Sequence, residues 1–106
     1  MRLWLVDPSK MCRKHLLGEH VECHMFVGCI NKGVSLNGYI NKGLVNTGLI
    51  KNRHNELVKE MKKRGMNHKS QLPSFNIPIL GYVDVKGNEK ELAKRCCECK
   101  FRDDKK

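Results

Sequence analysis

The stretch His15-Leu16-Leu17-Gly18-Glu19-His20-Val21-Glu22 decides how this chain is read. Successive residues of an α-helix turn by about 100°, so His15, Glu19 and Glu22 fall within roughly 60° of one another. Leu16, Cys23, Val27 and Ile30 cluster on a neighbouring side, the spacing of a core-facing stripe. The pattern predicts a helix from Lys10 to about Ile30, started by Pro8-Ser9 with Ser9 as its cap. One imidazole and two carboxylates then lie along the edge of that helix. Groups of this kind on one stripe can carry acid–base or charge-stabilising chemistry, but they supply no nucleophile. The candidate nucleophile is the backbone amine of Met1. An α-amino group titrates near ~7.7–8.0, against about 10.4 for lysine, so roughly a tenth of it is neutral and nucleophilic at pH 7.

Upstream of the helix, Leu3, Trp4, Leu5 and Val6 make a short apolar arm that should pack against helices. Downstream, the segment from Asn31 to Asn46 is rich in Gly and Asn and holds a short repeat. Ile30-Asn31-Lys32-Gly33 recurs as Ile40-Asn41-Lys42-Gly43. Each copy reads as a turn presenting a lysine and backbone N–H groups, either to phosphate or simply to solvent. A second helix is expected from Thr47, as N-cap, to Gly65 at the C′ position. Ile50, Leu57, Val58 and Met61 form its apolar stripe, interrupted by His54. Lys59, Lys62, Lys63 and Arg64 load its last turns, where cations suit the helix dipole. Pro73, Pro78 and Gly81 mark Met66 to Gly87 as a loop with one short extended piece at Ile79 to Val85. A third helix should run from about Asn88 to Arg102, with Leu92, Ala93 and Cys96 inward. The expected fold is all-α: a single compact domain, residues 1–106, of about three helices with long connecting loops.

The chain has 106 residues, with 21 Lys and Arg against 11 Asp and Glu, a formal net charge of +10. That length allows one modest core. The charge favours a polyanionic partner through phosphate contacts and counterion release. No apolar run approaches a membrane span, and the first ten residues lack the apolar core of a signal peptide. A cytoplasmic protein with no membrane partner is therefore expected, and its six cysteines should be reduced thiols. Cys12, Cys23 and Cys29 read as small hydrophobes in or beside the first helix.

Three blocks carry a resemblance: Met1-Arg2, then His15-Leu16-Leu17 with Glu19 and Glu22, then Arg53-His54-Asn55-Glu56-Leu57-Val58 with Glu60, Met61, Arg64 and Gly65. Together they resemble the pyrimidine dimer DNA glycosylases, the phage-type repair enzymes also called endonuclease V, in the branch beginning Met-Arg-Leu-Trp. The likeness runs from Met1 to about Pro73; residues 74–106 carry none, and the aromatic carboxy-terminal tail of the best-known relative has no counterpart. The resemblance implies a glycosylase with abasic-site lyase activity that works through a Schiff base on the amino-terminal amine, followed by β-elimination. It makes Met1 the nucleophile, since Met1 aligns with the family's nucleophile and a following Arg2 prevents methionine removal. It makes Glu22 the catalytic carboxylate and His15 a proton donor or phosphate ligand lining the site. Glu19 becomes a helper orienting Arg2 or His15, and Arg2 a phosphate grip. Arg53 either contacts DNA or ties the second helix to the first, and Lys32 and Lys42 add phosphate contacts. The implied partner is double-stranded DNA with pyrimidine dimers or abasic sites, met by a monomer in a bacterial cell or phage-infected host, with no cofactor and no metal.

Two rivals stand beside this reading. A non-catalytic basic DNA-binding protein would use the same charge without Glu22 or a free amine. A small zinc-binding module would draw on the pair His20 and His24, four apart with Cys23 between them, with further ligands from Cys96, Cys97 or Cys99. Within that last cluster only Cys96 and Cys99 have the Cys-x-x-Cys spacing, which makes half a zinc site.

Overall fold

Asp7-Pro8-Ser9 starts the helical part of the chain. The Asp7 carboxylate accepts from the Ser9 hydroxyl at 2.8 Å and from the Ser9 N–H at 3.0 Å, bonds that hold it below the usual carboxylate range. In a computed structural model, which describes residues 2–66, 71–96 and 99, this cap opens a 3-10 turn over Pro8–Lys10. Four α-helices follow: α1 Arg13–Asn31, α2 Asn37–Asn41, α3 Ile50–Lys63 and α4 Val85–Arg95, with a second 3-10 turn at Thr47–Leu49. There is no strand among the described residues, and the all-α expectation agrees with the structure. None of these helices is long and apolar enough to cross a membrane.

The boundaries differ from the expected ones for local reasons. Ser9 belongs to the 3-10 turn, and Cys12 caps α1 instead, its sulfur accepting the His15 N–H at 3.4 Å. The repeated Ile-Asn-Lys-Gly unit is a repeated helix stop. Gly33 and Gly43 take φ of 74° and 70°, the left-handed conformation a C′ glycine tolerates without a Cβ clash. The following N–H groups fold back, Val34 onto the Cys29 carbonyl and Leu44 onto the Tyr39 carbonyl, each at 2.9 Å. The first copy ends α1, and the second ends α2, a short helix the glycine- and asparagine-rich composition conceals. The third helix begins earlier than expected, because Asp84 caps it by accepting the Gly87 N–H at 3.1 Å. It also ends earlier: Cys96 leaves α4 in an extended conformation, φ −135° and ψ 114°. The remainder of the expected helix, to Arg102, lies outside the described residues apart from Cys99, as does Cys97.

Residues 78–82 form no strand but are clasped to the start of α3. The Thr47 hydroxyl donates to the Pro78 carbonyl and accepts the Leu80 N–H, both at 2.7 Å, while the Thr47 N–H donates to the Leu80 carbonyl at 2.9 Å. Gly81, at φ 91°, passes so close to the Val45 carbonyl that no Cβ would fit.

α1 packs against α3 around Leu16, Cys23, Phe26, Val27, Ile50 and Leu57, all fully buried. Between these helices sit two groups the stripes did not announce. Glu19 is 1 % exposed and Arg53 2 %. The Arg53 guanidinium donates from Nε to Glu19 Oε2 at 2.6 Å and from Nη2 to Oε1 at 2.8 Å, a two-pronged pair. Its Nη1 donates to the Val6 carbonyl at 2.7 Å and to Glu56 at 3.0 Å. Burial alone would lower the Arg53 pKa, but the bonds and charge of Glu19, then of Glu56, leave it above the ordinary guanidinium value. Glu19 Oε2 also accepts the N–H groups of Trp4 at 3.0 Å and Leu5 at 3.3 Å. Two successive amides on one oxygen form a nest for negative charge, and here the nest holds Leu5 at φ 55°, a conformation costing a side chain about 1–2 kcal/mol.

Removing one partner of a buried ion pair strands the other, at a cost of about 3–5 kcal/mol. Glu19→Ala and Arg53→Ala should each lower unfolding stability by that amount in denaturant titrations. The double change Glu19→Leu with Arg53→Met should cost clearly less than the sum of the single changes, because no lone charge remains. Additive losses would show the pair to be uncoupled.

Candidate active site

The arm Arg2–Val6 lies along the face of α1 that bears His15, Glu19 and Glu22, running opposite to the helix. The Arg2 N–H donates to Glu22 Oε1 at 2.6 Å, Glu19 takes the amides of Trp4 and Leu5 one turn earlier, and the Trp4 and His15 rings meet edge-on at 6.1 Å. All three residues singled out on one helix stripe thus meet the arm, Glu22 at Arg2 and both Glu19 and His15 at Trp4. Met1, the expected nucleophile, lies outside the described residues.

Arg2 is anchored at both ends. Its guanidinium donates to Asn88 Oδ1 at 2.5 Å and stacks over Trp4, with its carbon 3.9 Å from the ring centroid. Burial, and then the charge of Arg95, lower its pKa from the ordinary value. Its Nε is enclosed with no hydrogen-bond partner, so one donor remains uncommitted. The Asn88 amide nitrogen donates in turn to the Trp4 carbonyl at 2.8 Å and reaches the Leu3 carbonyl at 3.5 Å. One α4 side chain therefore holds both the main chain and the first arginine of the arm. Arg2, Asn88, Lys42 and Tyr82 line a shared shallow depression.

The expected supporting roles are redistributed. Glu19 does not orient Arg2 or His15; it is consumed by Arg53 and the arm's amides. Arg53 contacts no external phosphate, since its guanidinium is sealed between the helices; of its two expected roles the interhelical tie is the one present. Lys32 and Lys42 are both exposed, but the amides beside them are spent on helix ends, so the turns offer cations and no N–H cradle. Lys42 borders the depression with Arg2, and Lys32 does not.

His15 faces sulfur. Its Nδ1 lies 3.1 Å from Cys12 Sγ and 3.5 Å from Cys99 Sγ. Cys96 Sγ is 3.8 Å from Cys12 Sγ, and the Cys12 N–H donates to Cys99 Sγ at 3.2 Å. Burial pushes the Cys99 thiol up to about 12. The ligating atoms of Cys12, His15, Cys96 and Cys99 all lie within 4.8 Å of one another. A second group joins His20 and His24 of α1 to His54 of α3, with ring centroids 4.8 to 5.0 Å apart. Cys23 is not part of either group; it is a buried core thiol pushed up to about 12 by burial and then by the charge of Glu19.

Sequence reasoning missed Asn88, whose isolated position in a loop-to-helix transition carries no signal. It also missed Cys12-x-x-His15 as the complement of Cys96-x-x-Cys99, a signal that was present and is visible only when both pairs are read together.

Chemically, the Glu22 carboxylate at the first described amide can stabilise a cation formed there or relay a proton. Residues 1–74 match the family model described as pyrimidine dimer DNA glycosylase. Neither a search among curated proteins nor one among solved structures gave a match. The family match covers well over half of the chain and spans the arm, α1 and α3 together, so the chain belongs to the pyrimidine dimer DNA glycosylases, repair enzymes whose substrate is DNA carrying such dimers.

Proposed function

We propose that this glycosylase is also an abasic-site lyase, acting through the α-amine of Met1. The observation that carries the proposal is the 2.6 Å bond from the Arg2 N–H to Glu22 Oε1. That bond sets the Glu22 carboxylate at the backbone of the residue that follows the proposed nucleophile in the sequence. The neutral amine attacks C1′ of the damaged nucleotide, the glycosidic electrons leave with the base, and the sugar opens to a protonated imine. Glu22 stabilises the cation and relays the proton. Loss of a C2′ proton then expels the 3′ phosphate by β-elimination.

Arg2, half-buried at the edge of the depression, is the phosphate grip of this scheme, and Lys42 is the neighbouring cation. Lys32, at the far stop of α1, contributes only to the general positive field. His15, turned toward the sulfurs of Cys12 and Cys99, has no acid–base step. The protein acts as a monomer in the cytoplasm of a bacterial or phage-infected cell. A purely architectural DNA-binding protein would need no carboxylate at the amino-terminal backbone.

Borohydride reduction of untagged protein on abasic-site DNA should trap a covalent adduct joined at Met1, and acetylating or extending the terminus should abolish it. An adduct mapping to a lysine would overturn the assignment of the amine.

Glu22→Gln retains an oxygen to accept the Arg2 amide, so the arm keeps its place while the charge is lost. Lesion binding should persist while base release and cleavage fall by about 10²–10⁴, the usual span for a positioned acid–base group. Wild-type turnover would reduce Glu22 to a tether for the arm.

For about four to six phosphate contacts, the log affinity for undamaged duplex should fall with log salt at a slope of roughly −4 to −5. Lys42→Ala should flatten the slope by about 1, and Lys32→Ala by much less. Equal effects of the two changes would show that the depression beside Arg2 does not face the duplex.

A further inference from the structure

We propose that Cys12, His15, Cys96 and Cys99 form a structural zinc site that fastens the end of α4 to the start of α1. The site combines two short chelating pairs from opposite ends of the chain, Cys12-x-x-His15 and Cys96-x-x-Cys99, into a Cys₃His donor set, a common structural zinc environment. With Zn–S near 2.3 Å and Zn–N near 2.0 Å, donors at the corners of a tetrahedron stand about 3.5–3.8 Å apart. The Cys12–Cys96 separation of 3.8 Å and the Cys99–His15 separation of 3.5 Å match those edges, and Cys12–His15 at 3.1 Å needs only a small opening.

The backbone also meets two of these sulfurs. The Cys12 N–H points at Cys99 Sγ and the His15 N–H at Cys12 Sγ, and amide donors of this kind steady thiolate ligands and orient them. Cys12 and Cys99 are buried while His15 and Cys96 are half-buried, so the cluster is closed on one side and reachable from the other. Binding converts three thiols to thiolates and sends three protons to solvent, leaving a neutral imidazole as fourth ligand and no open position for substrate. The site is structural on that account. It does not depend on the amine mechanism, and either can fail without the other.

Reduced, metal-free full-length protein titrated with cobalt(II) should develop intense tetrahedral d–d bands and sulfur-to-cobalt charge transfer. These should saturate at about one equivalent and disappear when zinc is added. Cys99→Ser should lose most of the charge transfer, and His24→Gln, in the separate histidine group, should retain it. X-ray absorption of the wild-type cobalt protein should show a mixed shell of three sulfurs and one nitrogen, a readout independent of how the variants fold. Absence of charge transfer in the wild type would overturn the proposal. So would an all-nitrogen shell, or charge transfer undiminished in Cys99→Ser. A Cys12–Cys96 disulfide without bound metal in protein purified under reductant would do the same.

Discussion

A carboxylate and a guanidinium buried face to face between α1 and α3 set the position of nearly everything else. Arg53 brings the two helices into register by spending its donors on Glu19, Val6 and Glu56. Glu19 uses its remaining capacity on two amides of the amino-terminal arm. A buried ion pair contributes little net stability compared with well-packed hydrocarbon, and its usual value is to specify one arrangement among several. In this chain what it specifies is the line along which the arm must lie. An apolar contact would let Leu3 to Val6 slide; a two-pronged pair with an amide nest does not.

Fixing the arm fixes the chemistry. Once Trp4 and Leu5 are held on Glu19, the next helical position on the same stripe, Glu22, meets the Arg2 amide. The left-handed Leu5 is the bend this geometry requires, and the hydrogen bonds on both sides keep it in place. Arg2 is then trapped between Trp4 and Asn88. The arm is pre-organised from beneath by buried groups, Glu19 and Arg53.

How much of this was legible in the sequence follows from which interactions are local. The stripes of α1 and α3 are periodic features and Gly65 after α3 is a local stop signal, and all three survive in the structure within a few residues. The convergence of His15, Glu19 and Glu22 on one face was legible for the same reason. Their partners were not. Periodicity places Glu19 at the edge of an apolar stripe, and only a partner from another helix makes its burial tolerable, so Glu19 read as a helper of Arg2 or His15 and Arg53 as either a DNA contact or an interhelical tie. The repeated Ile-Asn-Lys-Gly looked like a presenting turn because composition does not reveal where amides point. The Cys12 and His15 pair was read as a core thiol and a site histidine because its complement lies more than eighty residues away.

Asn88 lies in the part of the chain that the family match leaves out, yet it supplies donors to the Leu3 and Trp4 carbonyls and an acceptor to Arg2. The edge of the family match is therefore not an edge of the architecture. A carboxy-terminal segment grafted from another member would be a working exchange only if it delivered an amide side chain to that one spot.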